Sequence, residues 1–315
     1  MKLQKSEVEC SIVILSFNTK DITDNSLEAV KKSKDYFRGK DGGGVEVIVV
    51  ENGSNDGSAS MIRSKHPWVD LIDLKENTGF AKGNNIGMKA SAGKYILLLN
   101  SDAFLEKDTL LNALSYMNVH SDCDVLGCKL TYEDGQFQPS AGYLPTPVNV
   151  FYWMLMLDKV PILRNIIHPF HPNNESFFRS DRSVGWITGA FMLLKRKVFE
   201  ETGGFDEHYF MYTEEVEWCK RIKDAGFNVV FTPSFEIIHK KFASSNYDIK
   251  KPIISETKGM LYFFKKHYPG YIWFVRLSLF LGYGIRVIAF LFLNSREKAK
   301  AYSSMLKDGI WKKLE

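Results

Sequence analysis

The stretch Lys94-Tyr95-Ile96-Leu97-Leu98-Leu99-Asn100-Ser101-Asp102 decides how the rest of the chain is read. Its apolar run is unbroken from Tyr95 to Leu99, the pattern of a parallel strand covered on both faces. An amide, a hydroxyl and a carboxylate then arrive together, at the carboxyl end where open α/β sheets keep their ligands. A carboxylate there can hold a divalent cation, and the cation a diphosphate. A plainer reading is a strand followed by a turn, because Asn, Ser and Asp are all common turn residues. The flanking sequence decides between the two.

Toward the amino terminus, residues 69–74, 45–50 and 10–16 read as three more apolar strands. A glycine-rich turn occupies 38–44, and helices are predicted over 22–37, over 58–63 with Asp56 or Ser58 as cap, and from the 77–87 segment. Strand and helix alternate four times, which predicts a parallel, doubly wound α/β sheet. A helix over 106–118 and a strand over 124–130 continue the pattern toward the carboxyl terminus. Residues 136–183 then lose all period and are rich in Pro, Asn, His and aromatics. So long an irregular stretch inside a compact domain reads as a functional loop or lid. Order returns with a strand over 186–194 that contains a small-residue break, and a short helix from Arg196 ending at Gly203-Gly204. A helix beginning at Glu214 has Thr213 as its N-cap and Gly226 as its C′ stop. Residues 228–232 and 236–239 read as two short strands.

The 315 residues are 45% hydrophobic and 25% charged, ordinary globular composition with enough apolar content for a sizeable core. Net charge is +4, unevenly spread: residues 258–315 hold eleven Lys/Arg against three acids, so the remainder is mildly acidic. A basic, aromatic tail suggests an anionic surface as partner, most naturally lipid. Residues 271–293 are mostly apolar, but Arg276 and Arg286 interrupt them and Gly282 and Gly284 weaken them. An interfacial amphipathic helix fits that pattern better than a spanning one; an ordinary helical pair packed on the body fits it equally. Cys10, Cys123, Cys128 and Cys219 match no zinc spacing, and the opening residues are polar, so a reducing, cytosolic setting is expected. His66, His120, His168, His171, His208 and His267 form no ligand spacing and read as loop or solvent residues.

Seven motifs now stand in order: SIVILSFN, VIVVENGSNDGS, NTGFAKGNNIG, YILLLNSD, WITGAFMLLKR, GGFDEHYFMYTEEVEWCKR and a late IIHK. Together, over residues 10–240, they resemble the family 2 glycosyltransferases, in particular their bacterial rhamnosyltransferase-like branch. The resemblance implies a GT-A fold: a Rossmann-like α/β domain over 1–240, with a donor half to about 130 and an acceptor half after it. Residues 241–315 are then a basic helical region. It further implies a nucleotide-sugar donor, a divalent metal (Mg²⁺ or Mn²⁺) and an inverting transfer.

Residue by residue, Asp102 stands where the last acid of the family's D-x-D-like motif stands, as metal ligand. The motif here is Asn100-Ser101-Asp102, so one carboxylate is offered, and Ser101 falls at the ribose. One protein carboxylate plus substrate phosphates is a normal way to hold Mg²⁺. Glu51 takes the place of an Asp that reaches the nucleobase, where it can accept the N3–H of uracil or thymine. Phe17, between Ser16 and Asn18, matches the base-stacking position, with plain core packing as the alternative. The N–H groups opening the 77–87 helix, with Lys82, can face the diphosphate. Glu215 matches the second acid of the family's Glu-Asp-x-Asp motif and is the expected base; a helix N-terminus favours its ionised form. Glu217 reads as structural, paired with Arg221 at i, i+4. His239 matches a late family histidine that reaches metal or diphosphate. Trp186, Gly189, Ala190, Asp206 and Glu214 line the acceptor side, and Phe151-Tyr152-Trp153-Met154 is core, acceptor surface or membrane contact.

A nucleotidyltransferase would need a glycine-rich loop after the first strand, which Ser16-Phe17-Asn18-Thr19-Lys20 lacks. A processive synthase would need several spanning helices. The expectation is therefore a peripherally membrane-bound transferase passing a sugar, from dTDP-rhamnose or a UDP-sugar, to a glycan or lipid-linked acceptor. The departures at Glu51 and Asn100-Ser101 leave an inactive carbohydrate-binding or scaffold protein as the alternative. No nucleic-acid partner is expected, and no residue pattern in the chain specifies an oligomeric state.

Overall fold

Alternation along the strands sorts side chains onto two faces of a single sheet. The computed structural model describes residues 8–40, 42–157, 160, 168–240 and 250–311. The polar opening at 1–7 and the expected domain boundary after residue 240 lie outside or at the edge of these residues. Strands β1 (Val8–Ser16), β2 (Gly44–Asn52), β3 (Asp70–Leu74) and β4 (Tyr95–Asn100) pair in parallel, in the order β3-β2-β1-β4. They are linked by helices α1 (Lys20–Arg38), α2 (Ser58–Lys65) and α3 (Phe80–Ala90). Ile12, Ile14, Leu97 and Leu99 face one core with Leu27 and Val30 of α1, while Val13, Ile96 and Leu98 face another with Ala81 and Met88 of α3. The quoted apolar run is thus buried on both sides, as a parallel strand in this layer requires.

Beyond β4 the sheet changes character. Strands β5 (Ala103–Leu105), β6 (Val125–Thr131), β11 (Phe191–Lys195) and β12 (Val229–His239) extend it in the order β4-β11-β6-β12-β5, with β11 antiparallel to both neighbours. Helix α4 (Thr109–Val119) connects β5 to β6. Short strands β7 (Phe137–Gln138) and β9 (Arg182–Ser183) join its margin, and β8 (Ala141–Gly142) pairs with β10 (Trp186–Ile187) in a separate ribbon.

The single strand expected over 186–194 is therefore two, in two sheets, parted at Thr188-Gly189. Conversely, the two strands expected between 228 and 239 are one: β12 runs through, with a register shift between Thr232 and Glu236 around Pro233. Proline cannot donate to the ladder, and a bulge accommodates it. The irregular stretch contains α5 (Pro147–Met154), opened by a Thr146/Asn149 capping box. Helix α6 (Arg196–Thr202) ends at Gly203 as expected.

Helices α7 (Glu214–Asp224), α8 (Lys250–His267), α9 (Ile272–Phe292) and α10 (Arg296–Asp308) complete the chain. Met260, Phe263 and Phe264 of α8 and Val275 and Leu279 of α9 share one hydrophobic core with Trp186 and Trp218. All four cysteines are buried and free.

Candidate active site

The turn after β4 carries Asp102 to the sheet's carboxyl edge. Pairing of β12 with β5 sets His239 opposite Ala103, and the Lys240 N–H donates to the Asp102 carbonyl (2.9 Å). That register brings His239 Nε2 to 3.2 Å from Asp102 Oδ1 and 3.3 Å from Asn100 Nδ2. On the other side of the ring, Nδ1 lies 3.1 Å from Gln138 Oε1. Asn100 Nδ2 can only donate and Gln138 Oε1 can only accept, so both bonds form when Nδ1 carries the proton. The bond from Asn100 occupies the Nε2 lone pair, so Nε2 would reach a cation beside the Asp102 carboxylate only with the Asn100 amide turned away. Two acceptors about 3 Å apart are spaced like adjacent ligands of an octahedral ion with bonds of about 2.1 Å. The donor set fits a divalent cation. Among the described residues no cluster of three or more His, Cys, Asp or Glu is placed to hold a metal, so substrate oxygens and water would supply the other ligands.

Glu51, at the end of β2, is buried; Oε1 accepts the Ser54 N–H (2.8 Å) while Oε2 is enclosed without a partner. An acceptor left open in this way suits an N–H of a ligand. Asn18, in a left-handed conformation (φ 51°), binds across to the Glu51 loop: its N–H donates to Ser54 Oγ (2.7 Å) and its Oδ1 accepts from Asn55 (2.9 Å). Phe17 beside it is half-buried. Ser16 and Ser101 lie beneath this surface, in a buried chain of hydroxyls: Ser16 to Thr23 (3.1 Å), Thr23 to Thr19 (3.0 Å), Thr19 to Ser101 (3.3 Å). Lys82 is exposed on the first turn of α3. The Phe80 N–H that opens α3 is taken by the Phe210 carbonyl (2.7 Å). Asp56 binds the Ser58 N–H (3.0 Å), although Gly57 occupies the α2 N-cap.

The start of α7 is built differently from its sequence expectation. Tyr212 and Thr213 both adopt left-handed backbone (φ 73° and 76°), and the Thr213 side chain makes no capping bond. Such conformations cost about 1–3 kcal/mol each and persist where surroundings impose them. Here they lead into Glu214 and Glu215, each with an enclosed Oε2 that has no partner. Burial pushes the Glu215 carboxyl up to about 7, helped by the charge of Glu256. Burial, and then the charge of Glu215, push Glu214 well above its ordinary value as well. The helix N-terminus, expected to hold Glu215 ionised, is outweighed by desolvation. Tyr212 is pushed up first by burial and then by the carboxylates of Glu214, Glu256, Glu215 and Asp102, so both acidic ends of the site act on one ring.

Glu217 is structural, as read from sequence. It is 0% exposed and meets Arg221 (3.0 Å), Lys266 (2.8 Å) and His267 (3.1 Å). Burial would raise its carboxyl, but the bonds from His267 and Lys266 and the Arg221 charge hold it below its ordinary value. Asp206 belongs to the same junction, bound by Lys266 (2.7 Å) and His208 (2.8 Å) and held well below the usual range despite its burial.

On the far side, Trp186 is buried and donates from Nε1 to the Phe170 carbonyl (3.1 Å); Gly189, facing Phe80, is buried too, and Ala190 is buried in the other core, with Ile12 and Leu97. His171 sits against Trp153 and Trp186 (5.0 and 5.2 Å between ring centres), its Nε2 enclosed 3.7 Å from Glu256 Oε1. His66, expected in solvent, is buried against Asp24 (2.8 Å). Gln138, Tyr212 and Glu256 escaped the sequence reading, and His171, read there as a loop or solvent residue, has its Nε2 enclosed against the site. Gln138 and His171 lie in the stretch without period, and Glu256 on a helix that carries no motif.

A sequence profile described as Glycosyl transferase family 2 matches residues 11–203. The chain belongs to glycosyl transferase family 2. Its relatives include an N-acetylglucosaminyl-diphospho-decaprenol L-rhamnosyltransferase from Mycobacterium tuberculosis, 28% identical, covering 81% of this chain and 88% of the relative. Rhamnosyltransferase WbbL from Escherichia coli is 25% identical, with 72% and 82% covered. These names agree with the branch that the motifs resemble. Among solved structures, the mannosyltransferase PcManGT from Pyrobaculum calidifontis, in complex with GDP-Man and Mn²⁺, superposes with a TM-score of 0.55 at 16% identity, covering 96% of this chain and 76% of its own. Residues 1–349 of S. aureus TarS, in complex with UDP-GlcNAc, give 0.54 at 13%, covering 94% and 91%. The fold of this family 2 member is thus GT-A. The profile spans Glu51 and Asp102 and ends before Glu215 and His239, the other candidate residues.

Proposed function

We propose that this family 2 protein is an inverting glycosyltransferase. It moves a sugar from dTDP-rhamnose or a UDP-sugar to a glycan or lipid-linked glycan acceptor in cell-surface polysaccharide synthesis. The observation that carries the reading is Glu215: a carboxylate oxygen enclosed without a partner at the start of α7, in surroundings whose burial pushes the carboxyl up to about 7. A general base works best when its pKa lies near the working pH.

In a single displacement the acceptor hydroxyl oxygen bonds to the anomeric carbon while the bond from that carbon to the diphosphate oxygen breaks. The hydroxyl proton passes to Glu215 and the electron pair leaves with the diphosphate, which inverts the anomeric centre. Asp102 and His239 would hold a Mg²⁺ or Mn²⁺ ion, whose charge stabilises the departing diphosphate. Glu51 Oε2 accepts the base N3–H, Phe17 stacks on the base, and Asn18, Asn100, Ser101 and Ser16 shape the nucleoside pocket. Lys82 supplies charge at its mouth. Trp186, Gly189, Ala190, Asp206 and Glu214 form the acceptor side. Residues 1–240 carry the transfer, and the helices after 240 hold this body at the inner face of the cytoplasmic membrane. The relative that acts on a diphospho-decaprenol supports a lipid-linked acceptor.

Calorimetry with UDP, dTDP, GDP and CDP, each with Mn²⁺, Mg²⁺ or EDTA, tests the donor half. Binding of UDP or dTDP that EDTA abolishes is expected. If folded protein binds no nucleotide, the donor assignment fails and the scaffold alternative takes its place.

A further inference from the structure

Pro269–Phe292 is long and apolar enough to cross a membrane by length and composition. The 21 residues of α9 rise about 32 Å, close to the thickness of a bilayer's hydrocarbon core. Its packing, however, is one-sided. Val275, Ser278, Leu279, Gly282 and Tyr283 are buried. Trp273 (67% exposed), Leu277, Phe280, Leu281, Ile288 (57%) and Leu291 fall on the opposite arc and are open to solvent.

The buried side is locked to the body at several points. A Cβ at Gly282 would stand 2.7 Å from Met154, so only glycine allows α5 this close. Arg286 Nη1 donates to the Met154 carbonyl (2.7 Å), and the Tyr283 and Thr257 hydroxyls meet at 2.6 Å. To span, α9 would have to drag α5 and α8 into hydrocarbon, and α8 carries exposed Lys258, Lys265 and Lys266. Cations rim the open face: Arg276 lies over Trp311 (6.0 Å) and Lys298 over Phe290 (5.5 Å). Arg296 and Lys300 are also exposed, beside the acid Glu297. A second copy packed two-fold on this face would bring these like charges together. Anionic headgroups match them.

We propose that α9 lies flat in one leaflet of an anionic membrane, with its open arc among the acyl chains and Arg276 and Lys298 at the phosphate level. This deepens the membrane-side reading given above and is measured without the transfer reaction. The full-length protein should float with phosphatidylglycerol-containing vesicles. Leu277→Glu with Leu281→Glu should abolish flotation and leave nucleotide binding intact. Lys298→Ala with Lys300→Ala should weaken binding about fivefold per cation. Spin labels at Leu277→Cys, Leu281→Cys and Ile288→Cys, in a chain whose native thiols are buried, should report one shared, shallow depth.

A depth that peaks near the bilayer midplane at position 281 would overturn the proposal in favour of a span. Absence of flotation by folded protein, with a dimer in sedimentation that Leu281→Glu dissociates, would assign the face to a second copy. Flotation without any nucleotide binding would leave this inference standing and remove the donor reading alone.

Discussion

At the scale of single residues, two carboxylates two positions apart, Glu215 and Glu217, behave oppositely because of what surrounds them. Glu217 has three cationic or imidazole partners and is held ionised, whereas Glu215 has an enclosed oxygen with none and is pushed up to about 7. As base, Glu215 works only when ionised, so the transfer rate should rise with pH up to about 7 and level above it. A kcat/KM profile checks this; a flat profile from pH 5 to 8 would remove Glu215 from the role. Glu215→Gln should lower kcat by about 10²–10⁴-fold and leave nucleotide affinity unchanged, which single-turnover and calorimetric measurements separate. Gln138 acts one bond further out, through His239 Nδ1. Outer partners of this kind are worth about 10–100-fold in metal affinity. Gln138→Leu should therefore weaken Mn²⁺ binding in the nucleotide complex by that factor, read by titration calorimetry.

At the scale of elements, α7 shows how backbone places chemistry. Its amino end is held in strained left-handed geometry at Tyr212 and Thr213. Its carboxyl end is relaxed: Gly226 takes φ 89°, its N–H donates to the Lys223 carbonyl (3.0 Å), and the Phe227 N–H donates to that of Ile222 (3.1 Å). This is the paired-bond helix stop in which glycine is favoured. Nothing lies within 4 Å of a Cβ built at Gly226, so Gly226→Ala tests backbone strain alone. It should cost about 1–2 kcal/mol and lower Tm by a few degrees, measurable by calorimetry.

For the whole molecule, the ion cluster at Glu217 joins α7 to α8, and Asp206 adds the preceding loop through Lys266. Both carboxyls have lowered folded-state pKa values. Their contribution is therefore full above the ordinary carboxylate values of 3.8 and 4.5 and is lost as pH falls below them. Thermal stability should drop as pH falls from about 5 to 3, and Glu217→Gln should flatten that decline. Melting curves across this range decide it.

The sequence by itself determined the parallel half of the sheet. Strands β1, β2 and β4 each carry an apolar run closed by polar residues, the half-exposed β3 forms the edge, and the helices between them alternate in step, so local pattern and tertiary burial agree. The resemblance of its motifs also marked Asp102, Glu51 and Glu215 as candidates, and each closes or opens such an element. Only the tertiary structure decided the rest. The 186–194 run divides between two sheets because Gly127 of β6 and the ribbon partner β8 receive Ile187, an arrangement that no local period encodes. The His239–Gln138 and His171–Glu256 pairs join residues about a hundred positions apart. The titration of Glu215 follows from desolvation by the packed body, where the local helix terminus alone points the other way. The open face of α9 exists because Arg286, which reads in sequence as a break in an apolar helix, turns inward to bind the end of α5.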